Sequence, residues 1–144
     1  MNSIGKKVMA AGNRALSWVY RRTSGRVGGS VKGLPVLLLT VPGRKTGKPR
    51  SVPVAYFEHD DGYLVAASAG GAPANPQWIR NLEAARQARI QIGERQYDVD
   101  VRLAAGVERD ELWQNVVLTQ APFFAGYEKK SGRSIPLALL NPRV

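Results

Sequence analysis

The chain has 144 residues, with a hydrophobic fraction of 44% and a charged fraction of 22%, enough sequence and apolar surface for one folded domain. It has no cysteine, which excludes disulfides, thiolate catalysis and cysteine-based zinc sites, and its longest apolar run, Val36 to Val41, is too short to cross a bilayer. A net charge of +10 predicts an anionic partner: nucleic acid, anionic lipid or a polyanionic small molecule.

Residues 4–21 read as a helix. Ile4, Val8, Ala11, Ala15 and Trp18 recur at spacings of three and four and so share one face, with Lys6, Lys7, Arg14 and Arg21 beside it. Gly12, Asn13 and Arg14 break the apolar character behind the first lysines, against a secretory signal; a cytoplasmic protein is expected. Thr23 to Gly33 holds four glycines and no periodicity and reads as a flexible connector. The expected division is therefore a basic helix and connector over 1–33 and a compact body over 34–144.

That body reads mostly as strands. Leu34 to Val41 is a buried strand; Ser51 to Glu58 follows, with Val52, Val54 and Tyr56 on one face. His59-Asp-Asp-Gly62 is a hairpin turn, and Tyr63 to Ser68 returns from it. Asn75-Pro76 predicts a helix start, a capping asparagine followed by proline at the first helical position, with Trp78, Ile79 and Leu82 on its apolar side. Arg89 to Ile92 and Gln96 to Leu103 form a second hairpin around Gly93 and Glu94. There Tyr97, Val99, Val101 and Leu103 alternate with polar residues. A helix from Val107 to about Thr119 buries Leu112, Trp113, Val116 and Val117. Antiparallel strands with hairpin links and few helices predict an α+β domain built on a small barrel or sandwich.

Three segments carry candidate chemistry. Between two buried strands, Gly43 to Arg50 holds four cations, Arg44, Lys45, Lys48 and Arg50, on a loop with glycines where the backbone turns. Free backbone N–H groups and neighbouring cations suit a phosphate or carboxylate, although a solvated basic hairpin has the same composition. The loop lacks the spacing of a P-loop, and Pro49 stops a helix from starting there. Ala67 to Gly71 is a small-residue loop ahead of a helix N-terminus, a second place for an anion or a flat ligand. Trp78 and Asn81, one turn apart, either flank a ligand there or pack in the core. Phe123, Phe124 and Tyr127, beside Lys129 and Lys130, either roof an apolar pocket or pack as a short helix. The single histidine, His59, has no second histidine for a metal site, and no Gly-x-Ser-x-Gly elbow occurs. With so few acid–base groups, an enzyme of this sequence needs a cofactor to carry its chemistry.

The ordered set Leu37 to Thr40, Gly43-Arg-Lys-Thr-Gly47, Pro49-Arg50, Ala66-Ala-Ser68, Gly70-Gly71, Asn75-Pro76, Trp78 and Asn81-Leu82 resembles the deazaflavin-dependent nitroreductase family. The resemblance runs from about Leu34 to the Ser131–Pro136 stretch. It implies an FMN-binding-type split β-barrel and an oxidoreductase in which reduced coenzyme F-420 gives a hydride to a quinone, a nitroaromatic or a similar small-molecule acceptor. It also implies roles. Lys45 and Arg50 hold the phosphate and oligoglutamate tail, with Arg44, Thr46 and Pro53 beside them. Ala66, Ala67, Ser68, Ala69, Gly70 and Gly71 lie along the deazaflavin ring, with Ser68 and Tyr127 nearest the chemistry. Asn75, Gln77, Trp78 and Asn81 complete the coenzyme pocket, and Phe124, Tyr127 and Lys130 face the substrate. No metal is implied. The chain departs from its nitroimidazole-reducing relatives at Ala69, where they have lysine, and at Phe124 and Lys130, where they have a tyrosine and a further aromatic.

Two readings compete with this one. The same fold could bind FMN instead of F-420. A basic nucleic-acid binder fits the charge, but the cations are not interleaved with stacking aromatics, so no specific nucleic acid is expected. Residues 4–21 add an expected peripheral contact with the anionic inner face of a membrane, which is compatible with quinone reduction.

Overall fold

Strand pairing dominates this molecule. The computed structural model describes residues 14–26 and 28–143; the part of the first predicted helix before residue 14 lies outside them. Helix α1 covers 14–23, followed by β1 (Ser30–Val31), β2 (Leu34–Pro42), β3 (Pro49–His59) and β4 (Gly62–Ala66). A short 3-10 turn at Ala69–Gly71 leads to α2 (Gln77–Ala85), β5 (Gln87–Ile92) and β6 (Arg95–Leu103). Helix α3 (Gly106–Leu112) runs through a π-helical turn (Trp113–Val117) into α4 (Leu118–Gln120), and α5 (Phe124–Ser131) and β7 (Leu137–Pro142) end the chain. The strands are ordered β1-β2-β3-β4-β7-β6-β5, all antiparallel, and β5 pairs again with β2. That last pairing closes β2 to β7 into a barrel, so the α+β barrel expectation holds. Among the described residues no helix is long and apolar enough to cross a membrane.

Alternation along the strands divides the core. Leu37, Leu39 and Val41 of β2 join Val54, Tyr56, Val65, Ile90, Val99 and Leu140, with Ile79 and Leu82 of α2 packed on the same cluster. The other face of β2 buries Val36 and Leu38 under Tyr20 of α1. On the far side Phe57, Leu64, Leu137 and Leu139 lie under Leu112, Trp113, Val117 and Phe124 of the later helices. Each such side chain contributes roughly 1.5–3 kcal/mol of burial, so the three clusters together fix the barrel and its helical cover.

Four expectations need correction. Helix α1 does not bury the face carrying Ala15 and Trp18: Trp18 is 64% exposed, and Ser17 and Tyr20 turn inward instead. The Tyr20 hydroxyl shares its proton between Val36 O at 3.0 Å and Gln91 O at 3.1 Å and accepts from Gly93 N–H at 3.1 Å, so it joins α1 to β2 and to the β5–β6 turn. Burial pushes this hydroxyl's pKa above the ordinary 10.0, against a smaller lowering from the Gly93 N–H. Residues 14–23 are thus packed on the barrel. Asn75 does not cap α2; Pro76 stands at the cap position, and the Asn75 side chain is bonded to Arg133. The strand expected to reach Ser68 ends at Ala66. Strand β7, absent from the expectation, sits between β4 and β6 and completes the barrel.

Candidate functional site

The basic loop folds on itself before it meets anything else. Gly43 N–H donates to Lys48 O at 2.8 Å, Gly47 N–H to Gly43 O at 2.8 Å, and Lys48 N–H to Thr46 Oγ1 at 3.2 Å. Gly47 has φ 72°, in the left-handed region, and a Cβ there would meet nothing within 4 Å, so glycine is used for its backbone freedom. The result is a tight turn between β2 and β3 with Lys45, Lys48 and Arg50 exposed. None of the three is paired with a carboxylate among the described residues.

Arg44 has a different task. Its backbone N–H and its Nη1 donate to Asn81 Oδ1 at 3.1 and 2.9 Å, and its Nη2 donates to Gln77 Oε1 at 2.8 Å. Gln77 and Asn81 are one turn apart on α2, so one guanidinium ties the basic loop to that helix. Asn81 is 6% exposed, and its carbonyl oxygen is satisfied by Arg44. Three residues that the resemblance implied as coenzyme contacts are therefore bonded to one another. Trp78 is half-buried and packed on the barrel cluster. No side chain caps the first turn of α2, which leaves its N–H groups facing out of the helix next to this junction.

The small-residue loop precedes α2 in the chain and leads into its N-terminus. Ala69, Gly70 and Gly71 have φ of 47°, 64° and 87°, three successive left-handed residues of which the first is not glycine. Such a backbone is uncommon for alanine and persists only when its surroundings hold it. The holder is Arg133, which sequence reasoning did not single out. Its Nε donates to Ala72 O at 3.0 Å, its Nη1 to Asn75 Oδ1 at 2.7 Å, and its Nη2 to Ala67 O and Ser68 O, each at 3.2 Å. One planar fork thus spans both sides of the loop. Burial lowers the Arg133 pKa from its ordinary value. The Gly70 Cβ position is open, with nothing within 4 Å, whereas a Cβ on Gly71 would lie 3.0 Å from the Lys130 side chain. Helix α5 therefore packs on this loop through Lys130.

The remaining predicted residues divide in the same way. Phe124 is a core residue, stacked edge-on against Phe57 and Trp113, and is not open to a substrate. Tyr127 is half-buried beside Phe123 and Phe124, and its hydroxyl is bonded to Lys32. Pro53 faces Leu38 across the β2–β3 ladder, and Ala66 ends β4 opposite Leu137. A surface pocket of about 300 Å³ lined by Arg109, Glu128, Gly132, Arg133 and Ser134 has its cations already engaged: Arg109 with Glu128 and Ile135 O, and Arg133 with the loop. Lys45, Lys48, Arg50, Ala69 and Gly70 are exposed, while Ser68 and Tyr127 are half-buried; Arg44 ties the basic loop to α2, and Lys130 of α5 packs on the small-residue loop. Exposed cations on one loop and open small residues on another suit an anion and a flat ligand respectively.

Comparison with known proteins identifies the family. The family model described as F420H(2)-dependent quinone reductase matches residues 12–142. The F420H(2)-dependent quinone reductase Rv1261c of Mycobacterium tuberculosis is 35% identical over 128 residues, 87% of this chain and 86% of the relative. A second protein of that organism, the putative F420H(2)-dependent quinone reductase Rv3178, is 38% identical over 112 residues, 78% of this chain and 93% of its own length. Among solved structures, an F420-H2 dependent reductase superposes with a TM-score of 0.66 at 33% identity, covering 74% of this chain and 94% of that one. Another, described as a domain-swapped dimer, has a TM-score of 0.67 at 31% identity over 86% and 97%.

Proposed function

This chain belongs to the F420H(2)-dependent quinone reductase family, and we propose that it passes a hydride from reduced coenzyme F-420 to a quinone or a similar flat, unsaturated acceptor. The observation that supports the reading is the junction of the basic loop with α2. It fixes Arg44 as a tether and leaves Lys45, Lys48 and Arg50 exposed, with no carboxylate paired to them among the described residues. A coenzyme with a phosphodiester and an oligoglutamate tail suits that donor set, and the open space over Gly70 suits the approach of a planar ring.

In this reading Lys45 and Arg50 hold the phosphate and tail, while Arg44, Gln77 and Asn81 keep the loop in place. Ser68 to Gly71 form the platform under the ring, latched from behind by Arg133, and Tyr127 roofs the acceptor. When bound, F-420 supplies the hydride-donating ring. The protein aligns donor and acceptor, limits water at the platform and offers the Tyr127 hydroxyl to the oxygen that gains negative charge. No protein nucleophile is needed. The test is spectrophotometric: reduced F-420 is oxidised in the presence of menadione and protein. No rate above the protein-free control, together with saturable FMN binding, would move the site to the flavin alternative.

A peripheral membrane contact is a separate proposal. It is favoured by Leu16 and Trp18, 55% and 64% exposed on α1 near the exposed Arg14, Arg21 and Arg22. Sedimentation with phosphatidylglycerol vesicles at low salt supports it; protein that stays in the supernatant removes it.

A further inference from the structure

We propose that Lys32 is a wall of the acceptor site and gives it a preference for flat acceptors carrying an anionic oxygen at their outer edge. The inference rests on the reading above, in which Tyr127 faces the acceptor. By composition Lys32 belongs to the glycine-rich connector. In the structure it opens the two-residue turn between β1 and β2 with φ 49°, and Gly33 follows at 79°. A long side chain in the left-handed region is uncommon and is held there by its surroundings.

Those surroundings are aromatic. The Lys32 ammonium lies 5.2 Å from the ring centre of Phe123, within cation–π range, and 5.0 Å from that of Tyr127, at its hydroxyl edge. It also donates a hydrogen bond to the Tyr127 hydroxyl. Among the described residues no carboxylate pairs with it. The turn at residues 32–33 is thereby joined to α5, 95 positions later in the chain.

The polarity of that bond decides what the pair can do. An ammonium has three donors and no acceptor, so the Tyr127 oxygen accepts and its own proton is left to point elsewhere. Its ring partners, Phe123 and Phe124, offer no oxygen to take that proton. One turn further along α5, Lys130 packs on Gly71 of the platform. The aromatic roof beside the platform therefore presents one hydroxyl proton and the two remaining ammonium donors. An oxygen placed between them receives bonds from both, and negative charge on that oxygen strengthens each. A neutral quinone uses the Tyr127 proton; an acceptor with an anionic substituent uses Lys32 as well.

The experiment is an equilibrium titration without turnover. Protein loaded with oxidised F-420 is titrated with menadione and with 1,4-naphthoquinone-2-sulfonate, following tryptophan fluorescence, in wild type, Lys32→Met, Lys32→Arg, Tyr127→Phe and Arg95→Met. Wild type should bind the sulfonate more tightly. Lys32→Met should lower the sulfonate-to-menadione preference about tenfold, equivalent to about 1.4 kcal/mol. Lys32→Arg should retain the preference, Tyr127→Phe should weaken both quinones, and Arg95→Met, which removes an exposed cation of β6, should change nothing. An unchanged preference in Lys32→Met, or an equal fall in Arg95→Met, overturns the proposal. Wild-type protein that fails to bind F-420 overturns the coenzyme reading instead, and the same quinone ratios measured on the coenzyme-free protein still decide the role of Lys32.

Discussion

Replacing Arg133 by methionine keeps most of the apolar stem and removes the fork that holds Ala67 to Asn75. The cost can be worked bond by bond. Ser68 O keeps a partner, because Gly71 N–H also donates to it at 2.9 Å. Ala72 O and the Asn75 side chain are only half-buried, so water replaces the guanidinium there at little cost. Ala67 is fully buried, and its carbonyl loses its Arg133 donor, a penalty of about 1–3 kcal/mol. The loop has an easy way to avoid it: Ala69 is already strained at φ 47°, and opening the turn relieves the strain and hydrates the carbonyl together. The penalty then appears as a smaller population of the ordered platform, and apparent coenzyme affinity falls by the same factor, roughly five- to a hundredfold. Fluorescence titration of Arg133→Met with F-420 measures it, beside a thermal melt that should move by only a few degrees because the barrel is untouched. Arg133→Lys, whose compact ammonium cannot span four acceptors, should recover only part of the affinity. F-420 binding within twofold of wild type in Arg133→Met would refute the latch.

Lys45→Ala and Arg50→Ala should each weaken F-420 binding by about 1.5–3 kcal/mol, the range for a charge-assisted bond. Isothermal titration checks it, and dissociation constants unchanged in both variants would remove the basic loop from the site. Tyr20→Phe should destabilise the fold by about 1–3 kcal/mol at neutral pH, since it leaves the polar groups at Val36, Gln91 and Gly93 without their shared hydroxyl. Because the folded-state pKa of Tyr20 is raised above 10.0, the unfolded chain releases that proton first as pH rises. The Tyr20 contribution is therefore complete below about pH 10 and lost above it, so the gap between wild type and Tyr20→Phe should narrow there. Urea unfolding at neutral pH and above pH 10 measures the gap; a gap that stays constant would show that the hydroxyl does not titrate differently in the two states.

The barrel was legible where one face of a strand is wet. In β6 the alternation of Tyr97, Val99, Val101 and Leu103 with polar residues gave the strand and its buried face, and the Gly93-Glu94 turn gave the hairpin. Strand β7 carries no such signal, because both of its faces are covered. Leu137 and Leu139 enter the cluster under α3 to α5, and Ala138 and Leu140 enter the barrel interior. A continuous four-residue apolar run behind Pro136 has no period to read. In α1 the apolar period pointed to Trp18, but the inward positions went to Ser17, which bonds to Ser51 O, and Tyr20, whose hydroxyl finds three backbone partners. Hydrophobicity does not report that complementarity. At the candidate site, composition showed the cations of residues 44–50 but not the difference between Arg44, spent on α2, and Lys45 and Arg50, which pair with no carboxylate among the described residues. Arg133 and Lys32 gave no local signal, since each acts on residues at least 58 positions away.

The central claim is that the uncompensated cations of the β2–β3 loop and the latched platform together bind a deazaflavin coenzyme. Its most direct measurement is a parallel equilibrium titration of the purified wild-type protein with F-420, FMN and NADPH at low and high salt. Saturable binding of F-420 that weakens as salt screens the phosphate and glutamate contacts, without displacement by FMN or NADPH, is the expected result. Saturable binding of FMN with no binding of F-420 would contradict it.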